Sequence, residues 1–177
     1  MRCRACKLPP GAACVNMGLK ALRREMSTKP PAQAGLVVGR SLDAMSSNIA
    51  YVTSELAELE IDDGIRFGLI EFCDNFAGVL RSLRAEIPLL RASLAGDEAD
   101  ARTRSQAIEE TLWGWMMKLH AQVTTVDEIV RQRPGHVYMG LGVLLRESAA
   151  NILNAYVELR GSLRFLAADQ RVVPPLT

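Results

Sequence analysis

Residues 38–59 read VGRSLDAMSSNIAYVTSELAEL. In this run Val38, Leu42, Met45, Ile49, Val52, Leu56 and Leu59 recur at alternating steps of four and three. Apolar residues spaced this way form one stripe along an α-helix, and so long a stripe needs a partner. Three further series follow it. The second is Ile65, Leu69, Phe72, Phe76, Val79, Leu83, Ile87, Leu90 and Leu94. The third is Ile108, Leu112, Trp115, Leu119, Val123, Val126 and Val130. The fourth is Tyr138, Leu141, Leu145, Ser148, Ile152, Ala155, Leu159, Leu163 and Leu166. Four such helices on short joints predict an all-α fold: an antiparallel up-down-up-down four-helix bundle spanning 36–168.

The joints are written in turn and cap residues. The first helix is expected over 36–61, ended by Asp62-Asp63-Gly64, with Asp63 as the next N-cap. The second runs over 64–95 and carries Pro88, where a kink near Arg84–Ile87 and a slip of the stripe are expected. Gly96 is expected in the left-handed position that ends it, and Asp97 caps the third helix, 98–132. Pro134-Gly135 stops that helix and the fourth covers 136–168. Residues 169–177, with Pro174-Pro175, read as a frayed tail.

The 177 residues suit one domain, and 49% hydrophobic with 23% charged residues is an ordinary globular balance. Aromatics make up only 5%, so aliphatic side chains must fill the core. The near-neutral net charge of +1 hides an uneven distribution. Residues 1–25 hold six basic side chains against Glu25 alone, while residues 26–177 hold the other 15 basic against 19 acidic ones. A mildly acidic body attracts neither nucleic acid nor anionic lipid, so neither is expected as a partner. No apolar run reaches the 18 or so residues of a membrane span, and the basic head has no apolar h-region of a secretory signal. A cytoplasmic location is the expectation.

Residues 1–35 read as a flexible, disordered basic segment. Cys3-x-x-Cys6 with Cys14 has the spacing of half a zinc site, but no fourth ligand follows nearby, and Lys7-Leu8-Pro9-Pro10-Gly11 breaks any redox-motif context. Met26-Ser27-Thr28-Lys29-Pro30-Pro31 has the look of a natural N-terminus, so residues 1–25 are a candidate for an over-called start. The alternative of a basic transit peptide is opposed by two prolines and the absence of Ser before position 27.

Placing residues at helical phase separates inner from outer faces. Ser54, Glu55, Glu58, Glu71, Asp74 and Arg81 fall outward on the first two helices, as a solvated face. The last two helices differ. Trp113, Met117 and His120 fall opposite the third stripe, and Met139, Val143, Ala150, Val157 and Gly161 opposite the fourth. An outward apolar row marks a second contact surface, with Trp as anchor and Met as adaptable filler. Folding back of the head over this row, or drift of helix phase into a broad core, are the competing readings.

Reaction chemistry is missing from the pattern. There is no Glu-x-x-His pair for a di-iron centre, no Gly-x-Ser-x-Gly elbow and no Gly-x-x-x-x-Gly-Lys phosphate loop. Cys73 reads as a small buried hydrophobe, His136 as a residue at a helix start, and Asn151 as a flank polar group able to fix register. The expectation is therefore a non-enzymatic bundle with no catalytic residue, no metal and no cofactor. It would form a homodimer, or dock a protein partner, through Trp113, Met117, His120, Met139, Val143 and Val157. The alternative is a small-molecule-binding or sensory bundle whose apolar pocket near Trp113 is lined by Trp115, Met116 and Leu119.

Overall fold

A computed structural model of the chain describes residues 31–168. It contains four α-helices: α1 Pro31–Glu58, α2 Asp63–Gly96, α3 Glu98–Gln132 and α4 His136–Ala168. The expectations placed on Cys3, Cys6, Cys14, the start at Met26 and the 169–177 tail lie outside the described residues. The all-α architecture is the one the four stripes demand.

Each helix packs against two others, in the ring α1–α2–α3–α4 and back to α1. Contacts between consecutive helices run in opposite order. Gly35 meets Arg91 and Asp43 pairs with Arg84. Ser93 meets Asp100 and Glu86 pairs with Arg104. Glu109 pairs with Arg160 and Asp127 with Arg146. These are the contacts of antiparallel neighbours, as short joints require.

The core is the shared interior of the ring. On α1, Val38, Leu42, Met45, Ile49, Val52 and Leu56 are buried, so the opening stripe packs as read. On α2 the buried series is Leu69, Cys73, Phe76, Leu80, Leu83, Ile87 and Leu90. That series keeps the four–three alternation without a break, so the slip expected at Pro88 does not occur. Phe72 and Val79, read as central, are half-buried on the flank. Helix α2 continues through Pro88, whose exposed ring leaves the Arg84 carbonyl without its usual helical donor. On α3 the core adds Ala101, Ser105 and Met116, and on α4 it adds Tyr156.

The helix ends fall differently from several boundary readings. Helix α1 spans Pro31–Glu58, where 36–61 was expected. Proline suits a first helical position because its missing N–H has no intrahelical acceptor there. Asp62, not Asp63, caps α2: its carboxylate accepts from the Gly64 and Ile65 N–H groups at 2.9 and 3.3 Å. Between α1 and α2 the chain tucks Ile61 into the core, and the Arg66 guanidinium donates to the Leu59 and Ile61 carbonyls at 3.0 and 3.1 Å. Gly96 is the last residue of α2 and its φ is not left-handed, so Asp97 alone makes the joint. Its extended backbone (φ −137°, ψ 94°) donates its N–H to Ser93 O at 2.7 Å, while its carboxylate accepts from Asp100 N at 3.0 Å.

Candidate functional site

Helices α3 and α4 present a face that the bundle does not cover. Trp113 and Met117 on α3 are each 51% exposed, and on α4 Leu153 is 49% and Val157 59% exposed. His120 and Ala150 are exposed beside them. Antiparallel register brings these residues together. Trp113 lies against Tyr156, with ring centroids 6.3 Å apart, and Asp127 against Arg146. The α3 segment 113–127 therefore runs beside α4 segment 146–156, with Met117 and His120 opposite Leu153 and Ala150.

Interhelical ion pairs border this stretch at both ends. At one end Arg160 Nε and Arg164 Nη2 both reach Glu109 Oε1, at 2.6 and 3.2 Å. At the other, Arg146 Nη2 holds Asp127 Oδ1 at 2.8 Å. Met139 and Val143 are also exposed, but they lie beyond the Arg146–Asp127 pair, nearer the α3–α4 joint. The six residues read from sequence thus fall in two groups: Trp113, Met117, His120 and Val157 in the central stretch, Met139 and Val143 outside it. Leu153 was missing from that reading, although it stands four residues before Val157 on the same side. Among the described residues, the exposed apolar side chains of α1 and α2 are scattered: Tyr51 is mid-α1 and Phe67 opens α2.

The residues read as an alternative ligand pocket are packed side chains. Met116 and Leu119 are buried, and Trp115 is half-buried against Phe72 and Phe76, with Lys118 Nζ 4.3 Å from its ring centroid. The cavity that Leu119 helps to line, with Cys73 and Ser148, measures about 10 Å³, the room of one water. The larger opening is on the outer face. An open cleft of about 330 Å³ is lined by Gln106, Glu109, Glu110, Trp113, Tyr156 and Arg160. Tyr156, 2% exposed, forms its base, and its hydroxyl has no hydrogen-bond partner. Sequence phase gave no sign of this, because Tyr156 stands one residue beyond the fourth stripe.

Asn151 donates to Asn48 Oδ1 at 3.4 Å, a link between α4 and α1 inside one chain rather than between chains. Among the described residues no three His, Cys, Asp or Glu side chains gather closely enough to hold a metal ion. No described helix is long and apolar enough to cross a membrane. The fold and face define a four-helix bundle with an apolar side that no described residue covers. Compared with known families, curated proteins and solved structures, the chain matches none.

Proposed function

We propose that this chain is a non-enzymatic interaction protein that self-associates through the α3/α4 face, with Trp113, Met117, Leu153 and Val157 at the centre of the contact. The observation that carries the reading is the apolar stretch closed at each end by an interhelical ion pair. An apolar centre inside a polar rim is the build of an association surface. Its occupant is a second copy. The bordering charges are already paired within the chain, so identical faces meet without bare like charges opposed.

The stretch between the two borders, Glu109 to Asp127 on α3, is about 27 Å long and about 18–20 Å broad, on the order of 500 Å². A standard interface takes roughly 800 Å² from each partner, so this contact belongs to the smaller, reversible class. Two copies related by a two-fold axis bring each face onto its own equivalent. A cytoplasmic homodimer is the form proposed.

Light scattering coupled to size exclusion, run as a micromolar dilution series, tests this. The expected result is a dimer that dissociates on dilution. Met117→Asp and Val157→Asp are expected to give monomers whose melting temperature stays within a few degrees of the parent monomer's, since both side chains are exposed. A parent chain that is monomeric throughout the series sinks the reading.

A further inference from the structure

The cleft beside Trp113 is built differently from the rest of the face. At its base the Tyr156 hydroxyl is buried without a donor or acceptor, although buried polar groups almost always find one. Burial holds this phenol protonated, and the charges of Arg160, Glu109 and Arg164 act on it. It is therefore a donor with nothing to donate to.

Arg160 and Glu109 line the cleft and act electrostatically on the hydroxyl. Two arginines serve a single oxygen, Glu109 Oε1, where one suffices to neutralise it. The Arg160 side chain is 39% exposed. Access to the hydroxyl requires that it swing outward while Arg164 keeps Glu109 paired. The swung guanidinium then brings its own unused N–H groups to the same place.

Charge decides what enters. Arg160 and Arg164 are balanced by Glu109 and Glu110, the latter already held by Gln106 at 2.7 Å. An anion meets the two carboxylates of the lining, and a cation meets the Arg160 guanidinium, with Arg164 on the same Glu109 oxygen. A neutral acceptor meets neither. Two of the six lining residues supply flat aromatic surface: the half-exposed Trp113 indole stands at 34° to the Tyr156 ring. A volume of about 330 Å³ falls at the small end of ligand sites.

We propose that the cleft binds a small neutral aromatic molecule carrying a carbonyl oxygen. Its ring lies on Trp113, and its carbonyl accepts from the Tyr156 hydroxyl and the released Arg160 guanidinium. Because Trp113 also centres the proposed self-association face, this ligand and a second copy exclude one another.

The probe is N-methylbenzamide, with benzoate and benzylamine as its charged counterparts and cyclohexanecarboxamide as its non-aromatic one. The full chain carries 5-fluorotryptophan, so fluorine resonances report Trp113 and Trp115 separately, assigned through Trp113→Phe. The expected result is a saturable shift of the Trp113 signal, with Trp115 unmoved. The charged and non-aromatic probes are expected to bind about tenfold more weakly or worse. Tyr156→Phe, which removes only the unpartnered hydroxyl, is expected to weaken N-methylbenzamide about five- to tenfold without lowering the melting temperature. No shift, equal binding of the four probes, or an unaltered affinity in Tyr156→Phe overturns the proposal. If Tyr156→Phe misfolds, the ranking of probes on the parent chain still decides. The titration is repeated on Met117→Asp, which lies outside the cleft lining. A parent chain that never dimerises therefore leaves this test intact, and a failed titration leaves the dimer untouched.

Discussion

The Trp115 ring lies 5.1 Å from the Phe76 ring and within 4° of parallel, so α3 and α2 are joined by a stacked aromatic pair. Phe76 is fully buried, and Phe72 completes the cluster, 5.6 Å from Trp115 and 6.1 Å from Phe76. In a chain so poor in aromatics this cluster is a large share of the ring-shaped surface available to the core. Trp115→Ala is expected to cost about 2–4 kcal/mol, lowering the midpoint of thermal unfolding by roughly 10 °C. Trp113→Ala, on the open face, is expected to cost about 1 kcal/mol or less. Melting curves followed by circular dichroism separate the two; equal losses contradict the placement of the rings.

Ser41 sits in the α1 core, 3% exposed, and its hydroxyl has no hydrogen-bond partner. Removing an unpartnered buried hydroxyl relieves its desolvation, and alanine is the better helix former. Ser41→Ala is expected to raise stability by about 1 kcal/mol in urea unfolding. A loss of similar size means that the hydroxyl is satisfied.

Acid acts at the α2–α3 corner. The Arg104 side chain, and next the Ser93 hydroxyl, hold the Asp100 carboxyl below its ordinary value of 3.8. A carboxyl depressed in the folded state contributes stability that is present above that ordinary value and lost as pH falls through the folded one. Protection of the amides near Ser93–Arg104, corrected for the intrinsic exchange rate, is expected to fall below about pH 4, and Asp100→Asn to remove the dependence there. Unchanged pH dependence in the variant assigns the acid step to another group.

Burial pushes the Cys73 thiol up; contact with the Thr53 hydroxyl pulls it partly back, and the charge of Asp74 raises it again. A thiol that is both buried and protonated reacts with iodoacetamide only when the structure opens. Peptide mass spectrometry is expected to show Cys73 labelled at least about a hundredfold more slowly in the native chain than in denaturant. Comparable rates place Cys73 at the surface.

The four-helix plan was legible because each stripe is long and each joint carries Asp, Gly or Pro at the right place. Finer phase was not. Adjacent residues stand only about 100° apart around a helix, so two neighbouring apolar side chains compete for one place on a broad stripe. On α2 the reading chose Phe72 and Val79 for their size, while Cys73 and Leu80 hold the centre. On α3 Met116 is buried where Trp115 was expected, and on α4 Tyr156 joins the core from beside the stripe. The outward row was legible in Trp113, Met117 and Val157, since exposure follows from the same phase. The cleft was not, because it depends on which α4 residue stands across from Glu109, and a single strand of sequence carries no cross-helix register. The Arg66 clip was hidden for a similar reason: its targets are backbone carbonyls, which every residue has.

A single residue, Asp97, closes α2 with its backbone and opens α3 with its side chain. Such a corner contains no spare chain to absorb motion. If α3 twists about its own axis when its outer side is gripped, the torque passes through Asp97 into the last turn of α2. There Ser93 and Asp100 are already in contact, so the far corner of the molecule registers what happens at the gripped side.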